Sequence, residues 1–315
     1  MKHVQAIALE EHFANPDFAE KYGAAGPSTL LLGDRDERAA ELARQGIGIE
    51  VLSHAPAAAQ NLPAADSVFW SRRINDDLAR WIDGDPRFAA FASLPMADPA
   101  AAAAELERAV RDLGCVGAMI HGQTGGVMPD DPACHDLYAV AEALDVPVYL
   151  HPSFVHPDVM RAYYEDLAVR YPMFAMAAGG FTCETMTIAI RMMLGDIPQK
   201  FPRLRLILGH LGEAIPFLLE RIDESLARNN EGERFFRERF LRHFTVTTSG
   251  NFSDPALLCT LAELGPERIM YSVDWPYVAR EPGRAWIDAA PVDDATRAAI
   301  LRGNAERILK LSPRA

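Results

Sequence analysis

The sequence predicts a single (β/α)₈ barrel, and three observations lead to that prediction. The chain has 315 residues, a length that suits one α/β barrel domain. Short apolar runs alternate with longer amphipathic segments, which is typical of βαβ units around a parallel sheet. The apolar runs number eight, as such a barrel requires. We therefore expect residues 1–315 to form one domain.

The eight predicted strands are short, and several are apolar throughout, as strands buried on both faces should be. They are Val4–Leu9, Ile49–Ser53, Phe88–Leu94, Val116–Ile120, Val146–Leu150, Leu206–Leu208, Phe244–Thr248 and Ile269–Val273.

The segments between the strands carry apolar residues at helical spacing. The predicted helices are Arg35–Gln45, Ala64–Asp83, Pro99–Leu113, Asp136–Leu144, Ile215–Arg228, Pro255–Leu264 and Asp293–Leu309. Two of them begin with an aspartate followed by a proline, Asp98-Pro99 and Asp254-Pro255. Aspartate at the N-cap with proline at the first helical position is a strong start signal.

One connection is much longer than the others. It joins His151 to Leu206 and is rich in Met, Phe and Tyr. Loops of that length are usually functional or form an interface. We therefore expect a helical insert, roughly residues 153–203, which covers the barrel mouth or contacts another subunit. The expected assembly is a homodimer or a homotetramer.

Composition and charge exclude several classes of function. The net charge of −13 argues against nucleic acid as the main partner, because phosphate binding needs a basic face. We identify no stretch of the roughly 20 apolar residues that span a bilayer, so we expect no membrane association. The four cysteines show no CxxC spacing, which indicates reduced thiols and a cytoplasmic protein. They are Cys115, Cys134, Cys183 and Cys259.

Polar side chains follow most of the predicted strands, at the rim where barrel enzymes place their active sites. In chain order they are Glu10, Glu11, His12, His54, His121, His151, His210, Glu213, Ser249, Asn251 and Asp274. Each alone could be a solvated loop residue, and Asp274 could be the N-cap of a helix. Their coincidence on one rim is better explained by an active site.

Strands one, five and eight together offer two imidazoles and two carboxylates, from Glu10, His12, His151 and Asp274. Residues two apart on a strand point to the same side, so Glu10 and His12 can both enter the lumen while Glu11 faces outward. This donor set predicts one divalent metal ion. The carboxylates favour Mn²⁺ or Mg²⁺, with Zn²⁺ also compatible, and we expect no organic cofactor.

At these residues the sequence resembles the decarboxylase branch of the amidohydrolase superfamily. That branch includes γ-resorcylate, 2,3-dihydroxybenzoate, 5-carboxyvanillate and, more distantly, aminocarboxymuconate semialdehyde decarboxylases. The matching stretches run from one end of the chain to the other. They are ALEEHF (Ala8–Phe13), LDVPVYLHP (Leu144–Pro152), LRLILGHLGE (Leu204–Glu213), FTVTTSGNF (Phe244–Phe252), RIMYSVDWPY (Arg268–Tyr277) and GNAERIL (Gly303–Leu309).

The resemblance implies roles for individual residues. Glu10, His12, His151 and Asp274 would be the metal ligands. His210 and Glu213 would form a hydrogen-bonded relay with Asp274. Arg221 would face the polar groups of the substrate.

Four further residues are candidates for the substrate pocket because of their positions near strand ends. They are His54, Phe154, Trp275 and Tyr277.

The expected reaction is non-oxidative decarboxylation of an ortho-hydroxybenzoate. Asp274, held by His210, would protonate the ring carbon that bears the carboxylate, with His210 itself as the alternative donor.

The resemblance also bears on the number of metal ions. In hydrolytic relatives the first metal-binding motif is usually His-x-His, and a lysine after strand four often bridges two metal ions. Here Glu10 replaces the first histidine and His121 ends strand four, so one metal is expected. A metal-dependent lactone or ester hydrolase and a non-catalytic scaffold are the alternatives.

Overall fold

The structure is a computed structural model that describes residues 4–23, 26, 28–31 and 33–311. Its eight strands are parallel and pair in sequence order, β1 with β2 and so on to β8, which confirms the predicted barrel. The strands are β1 (Ala6–Phe13), β2 (Ile47–His54), β3 (Phe88–Ser93), β4 (Gly117–His121), β5 (Val148–His151), β6 (Leu206–Leu208), β7 (Phe244–Thr247) and β8 (Ile269–Met270).

The barrel closes between β1 and the segment that follows β8. Glu11 bridges to Trp275, the His12 N–H donates to the Trp275 carbonyl at 2.7 Å, and the Asp274 N–H donates to the Glu10 carbonyl at 3.0 Å. The regular strand β8 is shorter than the predicted Ile269–Val273. Beyond Met270 the Thr248 hydroxyl takes the place of a backbone partner. It donates to the Ser272 carbonyl and accepts from the Ser272 N–H.

The described helices surround the sheet. They are Pro16–Tyr22, Ser28–Leu31, Arg35–Arg44, Ala64–Ile82, Pro99–Leu113, His135–Leu144, Pro157–Val159, Glu165–Ala168, Gly180–Leu194, Ile197–Lys200, Ile215–Ala227, Phe236–His243, Asp254–Leu264, Arg280–Ala289, Asp294–Ala298 and Asn304–Leu309. Single turns of 3₁₀ helix cover Pro132–Cys134, Pro172–Ala175 and Pro266–Arg268, and π-helical turns cover Met160–Tyr164 and Ala299–Gly303.

The two predicted Asp-Pro helix starts have different outcomes. Asp98 is the N-cap of its helix, and its carboxylate accepts from the Ala101 N–H at 3.1 Å. The prediction for Asp254 is wrong, because this helix begins one residue earlier and Ser253 occupies the cap position. The Asp254 carboxylate instead accepts from the Trp286 indole N–H at 2.8 Å.

The insert after β5 contains a long apolar helical stretch. By length and composition alone, Pro172–Leu194 could cross a membrane, contrary to the expectation from the sequence. In the structure, however, it comprises a 3₁₀ turn and the separate helix Gly180–Leu194. That helix buries Ile188, Ala189 and Met192 completely in the core around the barrel. Packing therefore accounts for the apolar character of this buried face of the helix.

Two apolar layers fix the barrel. One lies between the sheet and the helices, and it takes Ala6 and Ala8 from β1. The other fills the lumen, takes Ile7 and Leu9 from the same strand, and is closed at the bottom by the C-terminal helix. The lumen layer also contains Val51, Phe91, Met119, Tyr149, Ile207 and Met270. The upper end of the lumen is left to polar side chains.

Candidate metal centre and active site

A bulge in β1 aims the acidic side chain of the site into the lumen. Ile7 and Leu9 already point inward, so regular alternation would turn Glu10 outward. The pairing of β1 with β2 shifts register between Ala8 and Glu11, so that the two successive residues Leu9 and Glu10 both face the lumen. Bulges are known to re-aim side chains next to active sites. The predicted Glu10-x-His12 spacing is therefore correct, but the strand reaches it by a break in its own alternation.

Ser272 holds this bulge in place. Its hydroxyl accepts from the N–H groups of both Leu9 and Glu10, and donates to the Glu11 carboxylate at 3.1 Å. All of these groups are fully buried. The sequence offered no sign of this role, because a serine two residues after a short strand is common in any protein.

Ser272→Ala should therefore destabilise the protein and disturb Glu10. Two buried N–H groups would lose their acceptor, which costs about 3 kcal/mol of unfolding free energy. Ser67→Ala is a matched control, since Ser67 is also fully buried and its hydroxyl has no hydrogen-bond partner among the described residues. Urea unfolding midpoints measure both effects. Equal stability of the two variants would contradict the role of Ser272.

Four side chains converge at the upper end of the lumen, and they are the four predicted ligands. One donor atom from each of Glu10, His12, His151 and Asp274 lies within 4.8 Å of the other three. His12 Nε2 is 3.3 Å from Asp274 Oδ1, and His151 Nε2 is 3.2 Å from Glu10 Oε1. These same four atoms are buried and lack a hydrogen-bond partner. Buried polar atoms are normally satisfied, so a shared cation accounts for all four together.

The histidines are oriented through their other ring nitrogens. His151 Nδ1 contacts the Pro152 carbonyl at 2.6 Å, and a carbonyl can only accept, so this nitrogen carries the proton. Nε2 of a neutral His151 is then free to bind a metal. His12 Nδ1 contacts the Ser53 hydroxyl at 3.1 Å. Such outer contacts fix the ring orientation of metal-binding histidines. His121, predicted on the same rim, lies beside the site with Nδ1 3.3 Å from His151 Nδ1.

Glu10 is fixed by groups from the layer below it. The Tyr149 hydroxyl donates to Glu10 Oε2 and is itself 2.7 Å from the Thr247 hydroxyl. Gly209 supplies the room, because a Cβ at that position would lie 2.7 Å from Glu10 Oε2. With Oε2 occupied, only Oε1 faces the other donor atoms. Burial by itself would raise the pKa of Glu10, but the neighbouring His210, His151 and His12 outweigh it and hold the pKa far below its ordinary value.

His210 and Glu213 sit on a left-handed turn directly after β6. The φ angles from residue 210 to 214 are 51°, 57°, 87°, 51° and 62°, and only residue 212 is a glycine. Left-handed backbone costs roughly 1–2 kcal/mol for each ordinary residue, so the surrounding structure must enforce it. The Asn251 amide and the Thr260 hydroxyl donate to carbonyls of this turn. Strain of this kind concentrates at functional sites.

The turn places His210 Nδ1 2.7 Å from Glu213 Oε1, which confirms the predicted hydrogen bond. The link to Asp274 is looser, because His210 Nε2 is 3.8 Å from Asp274 Oδ2 and the contact is an ion pair rather than a hydrogen bond. Burial alone would lower the pKa of His210, but the charges of Glu213 and Glu10 raise it well above the ordinary value. The raised pKa favours the protonated imidazole, whose Nε2–H would face Asp274.

Next to these residues lies a cavity of about 420 Å³, within the range of small-molecule sites. His151, His210, Glu213 and Asp274 form its polar edge. Of the four residues predicted to form the pocket, Tyr277 and Phe154 line it, and the Tyr277 ring lies 5.4 Å from that of His12.

Three residues predicted to contact the substrate are not among the described residues of this chain that line the cavity. His54 is buried with both ring nitrogens bonded to backbone groups, Nε2 accepting from Asn15 and Nδ1 donating to Ala55. Burial also lowers the pKa of His54 to about 4. The Trp275 ring is turned away and lies between two guanidinium groups. Arg221 is exposed on the helix Ile215–Ala227.

The two guanidinium groups around Trp275 belong to Arg38 and Arg280, at 4.2 and 4.0 Å from the ring centroid. Both also bind the buried Glu50 carboxylate. Glu11, which points out of the lumen as predicted, is buried next to this cluster rather than solvated. Burial and the charge of Glu50 raise the pKa of Glu11 to about 8. The cluster ties together the two chain segments that supply His12 and Asp274.

Comparisons with known proteins find similar sequences and structures over most of the chain. Residues 27–311 match the family described as amidohydrolase. The γ-resorcylate decarboxylase of Rhizobium sp. (strain MTP-10005) is 37% identical, over 97% of this chain and 98% of its own. A crystal structure of 2,6-dihydroxybenzoate decarboxylase complexed with 2,6-dihydroxybenzoate has a TM-score of 0.87 and 35% identity, covering 97% of this chain and 98% of that one. The dihydroxybenzoic acid decarboxylase of Polaromonas sp. JS666, with bound manganese and 2-nitroresorcinol, has a TM-score of 0.89 and 34% identity, covering 98% of each chain.

Proposed function

The chain belongs to the amidohydrolase family, and on that premise we propose that it is a metal-dependent decarboxylase of ortho-hydroxybenzoate-type aromatic acids. One observation carries the proposal: four unpartnered donor atoms face one another beside His210, at the polar edge of a small cavity. Relatives of similar length are decarboxylases of dihydroxybenzoates. They favour decarboxylation over the hydrolase alternative.

Glu10, His12, His151 and Asp274 would hold the metal, which we propose to be Mn²⁺, with Zn²⁺ or Mg²⁺ as the alternatives. The donor set of two imidazoles and two carboxylates fits such an ion. When bound, the ion supplies Lewis acidity and an anchor for the anionic groups of the substrate. A manganese-bound structure of a relative supports this choice.

The protein's own residues would move the proton. Asp274, or His210 acting through it, donates a proton that forms the new C–H bond at the ring carbon bearing the carboxylate. The C–C bond to the carboxylate then breaks, its electron pair restores the aromatic ring, and carbon dioxide leaves. Glu213 keeps His210 charged, so that the proton can be replaced from solvent.

The decisive experiment is a panel of ortho-hydroxybenzoates assayed for carbon dioxide release, with bound metal quantified in the same preparation. The panel contains salicylate, 2,3-dihydroxybenzoate and 2,6-dihydroxybenzoate, and a parallel set of aromatic lactones tests hydrolysis. In deuterated water the product should carry deuterium at the carbon that lost the carboxylate. Lactone hydrolysis without any carbon dioxide release would overturn the proposal in favour of the hydrolase.

The contact between Tyr149 and Glu10 gives a further prediction. Tyr149→Phe should weaken Mn²⁺ binding about 10-fold, because outer contacts of this kind usually contribute 10- to 100-fold to metal affinity. Removing the hydroxyl frees Glu10 Oε2 and lets the carboxylate rotate. Electron paramagnetic resonance of free Mn²⁺ measures the dissociation constant.

Tyr138→Phe is the matched control for this experiment. Tyr138 is also fully buried, and its hydroxyl donates to the Pro129 carbonyl at 2.6 Å, on the outer side of the sheet. Tyr138→Phe loses one buried hydrogen bond, whereas Tyr149→Phe loses those to Glu10 and Thr247, so both variants should lose stability and the Tyr149 variant more. Only the Tyr149 variant should change metal affinity. Unchanged affinity in both would show that Tyr149 does not position Glu10.

We also propose a cytoplasmic homodimer or homotetramer. The insert and the helix Ile215–Ala227 expose several large apolar side chains, including Tyr163, Val169 and Phe217. Large exposed apolar groups often mark contacts between proteins. The four cysteines are unpaired, as expected for a reducing compartment. Light scattering of the purified protein tests the assembly, and a monomer at micromolar concentration would contradict it.

A further inference from the structure

Three consecutive hydroxyl side chains, Thr247, Thr248 and Ser249, lie at the end of β7 and directly after it. They belong to the stretch FTVTTSGNF, whose match to the decarboxylase branch has so far no physical explanation. All three are completely buried, and none is among the described residues that line the cavity. A buried hydroxyl is costly unless it is hydrogen-bonded, so the partners of these groups indicate their role.

The two threonines lie on different faces of the sheet, as neighbouring residues of a strand should. Thr247 contacts the hydroxyl of Tyr149, which belongs to the lumen layer. Thr248 contacts the backbone of Ser272 in the segment after β8. Both routes lead to Glu10, one to its carboxylate and the other to its backbone.

The route through the lumen is a chain of hydroxyl groups with a single direction. A carboxylate that binds a cation is deprotonated and can only accept, so Tyr149 uses its one proton for Glu10 Oε2. The Tyr149 oxygen must then accept from the Thr247 hydroxyl, at 2.7 Å. Thr247 in turn accepts from the Ser249 hydroxyl, also at 2.7 Å. Each bond polarises the next, so Thr247 makes Tyr149 a stronger donor to Glu10.

The other route reaches the backbone of Glu10. The Thr248 hydroxyl donates to the Ser272 carbonyl at 2.7 Å and accepts from the Ser272 N–H at 2.9 Å, which fixes both backbone groups of this residue. The Ser272 hydroxyl then accepts from the N–H groups of Leu9 and Glu10 at the β1 bulge. Thr248 therefore supports the bulge that turns Glu10 into the lumen.

We infer that Thr247 and Thr248 are positioning residues for Glu10, the first for its carboxylate and the second for its backbone. The inference rests on the proposed metal site, in which Glu10 is a ligand. The two routes have no hydrogen bond in common, so each should contribute separately to metal affinity. This role also explains why consecutive hydroxyl residues stand at the end of a strand that supplies no ligand.

Valine replaces threonine with little change of shape and removes only the hydroxyl. Thr248→Val should raise the dissociation constant of Mn²⁺ about 10-fold, at the low end for outer contacts of a metal site. Thr247→Val should raise it about 3-fold, less than Tyr149→Phe, because the tyrosine hydroxyl itself remains. Electron paramagnetic resonance of free Mn²⁺ measures these constants.

Conservative and matched variants separate positioning from packing. Thr247→Ser and Thr248→Ser keep the hydroxyl and should bind Mn²⁺ as tightly as the parent protein. Thr185→Val is the control, because Thr185 is completely buried but its hydroxyl has no hydrogen-bond partner among the described residues. Its dissociation constant should not change. Serine variants as weak as the valine variants would show that the threonine methyl groups matter, and would contradict the inference.

Double variants test whether the two routes are separate. Tyr149→Phe removes the last link of the lumen route, so adding Thr247→Val should weaken Mn²⁺ binding no further. Adding Thr248→Val to Tyr149→Phe should multiply the losses, to about 100-fold relative to the parent. If Thr248→Val does not fold, Ser272→Ala takes its place, since it breaks the same route. Equal affinity of the two double variants would overturn the inference.

Urea unfolding of the metal-free variants keeps the test independent of the metal. The Thr247→Val and Tyr149→Phe changes should shift the midpoint by less than the sum of their single shifts, because they share one hydrogen bond. Thr248→Val and Tyr149→Phe should be additive, and the opposite pattern would overturn the inference. A parent protein that binds no Mn²⁺ would refute the proposed metal site. A parent that binds Mn²⁺ while every variant matches it would refute only the role of the threonines.

Discussion

Asp274→Asn should lower kcat at least about 1,000-fold, in line with the loss of an acid group that acts in the reaction. One carboxylate oxygen of Asp274 faces His12 Nε2 at 3.3 Å, and the other faces His210 Nε2 at 3.8 Å. The side chain thus stands between the proposed metal and the charged histidine. An amide keeps the shape of the carboxylate but cannot donate a proton as an acid. Single-turnover release of carbon dioxide measures the effect.

Metal content separates the two roles of Asp274. If the variant, saturated with Mn²⁺, still shows the full loss, then proton delivery is impaired and not only metal binding. Asp254→Asn makes the same chemical change on an outer helix, where the carboxylate accepts from Trp286, and should retain full activity. Normal turnover by metal-loaded Asp274→Asn would contradict the assignment and leave His210 as the donor.

The sequence was sufficient to predict the barrel and the four proposed ligands. Eight apolar runs separated by amphipathic segments allow few other folds, and parallel strands bring the residues after their carboxyl ends to one rim. Glu10, His12, His151 and Asp274 follow directly from that rule, and the structure brings them together. The rule places residues on the rim, but it does not say which way each side chain turns.

The directions of individual side chains are therefore the feature of the site that the sequence predicts least well. Trp275 follows Asp274 directly and was expected in the pocket, but its ring stacks between Arg38 and Arg280 on the other side of the chain. His54 ends β2 at the rim, but its nitrogens are occupied by backbone groups that arrive from distant segments. Those contacts depend on tertiary packing, and no local pattern encodes them.

The β1 bulge and the left-handed turn after β6 could not be predicted for a related reason. Both are conformations that ordinary propensities disfavour, and both are held by residues distant in sequence, such as Ser272 and Thr260. A single clue existed in β1. Ile7 and Leu9 follow one alternation and Glu10 and His12 follow the other, and a strand can satisfy both only with an extra residue.

Removal of the metal should abolish decarboxylation and lower the thermal stability of the protein. Four buried donor atoms would lose their common partner. At free Mn²⁺ about 100-fold above its dissociation constant, binding stabilises the folded state by about 2.7 kcal/mol, which corresponds to a rise of several degrees in Tm. Differential scanning calorimetry with and without Mn²⁺ measures this rise. Re-addition of the ion should restore activity.

Variants of two buried histidines test whether the rise in Tm comes from this site, one as the test and the other as its control. His151→Gln removes a proposed ligand, so the Mn²⁺-dependent rise in Tm should disappear. His243→Gln changes a buried histidine whose Nδ1 bonds to the Leu204 carbonyl, and the rise should remain. A rise of equal size in both variants would place the metal elsewhere in the chain.

Metal affinity should also fall as the pH is lowered, and the metal-free site shows which group is responsible. Burial alone would lower the pKa of His151, but the adjacent Glu10 carboxylate raises it above the ordinary value, whereas burial lowers the pKa of His12. Over the pH range between these two pKa values, the ion must therefore displace a proton from His151 but not from His12. As the pH rises through the pKa of His151 this competition disappears and binding tightens. Calorimetric titrations in two buffers with different ionisation enthalpies should detect close to one proton released per Mn²⁺ below that pKa. If no proton is released, His151 does not bind the metal.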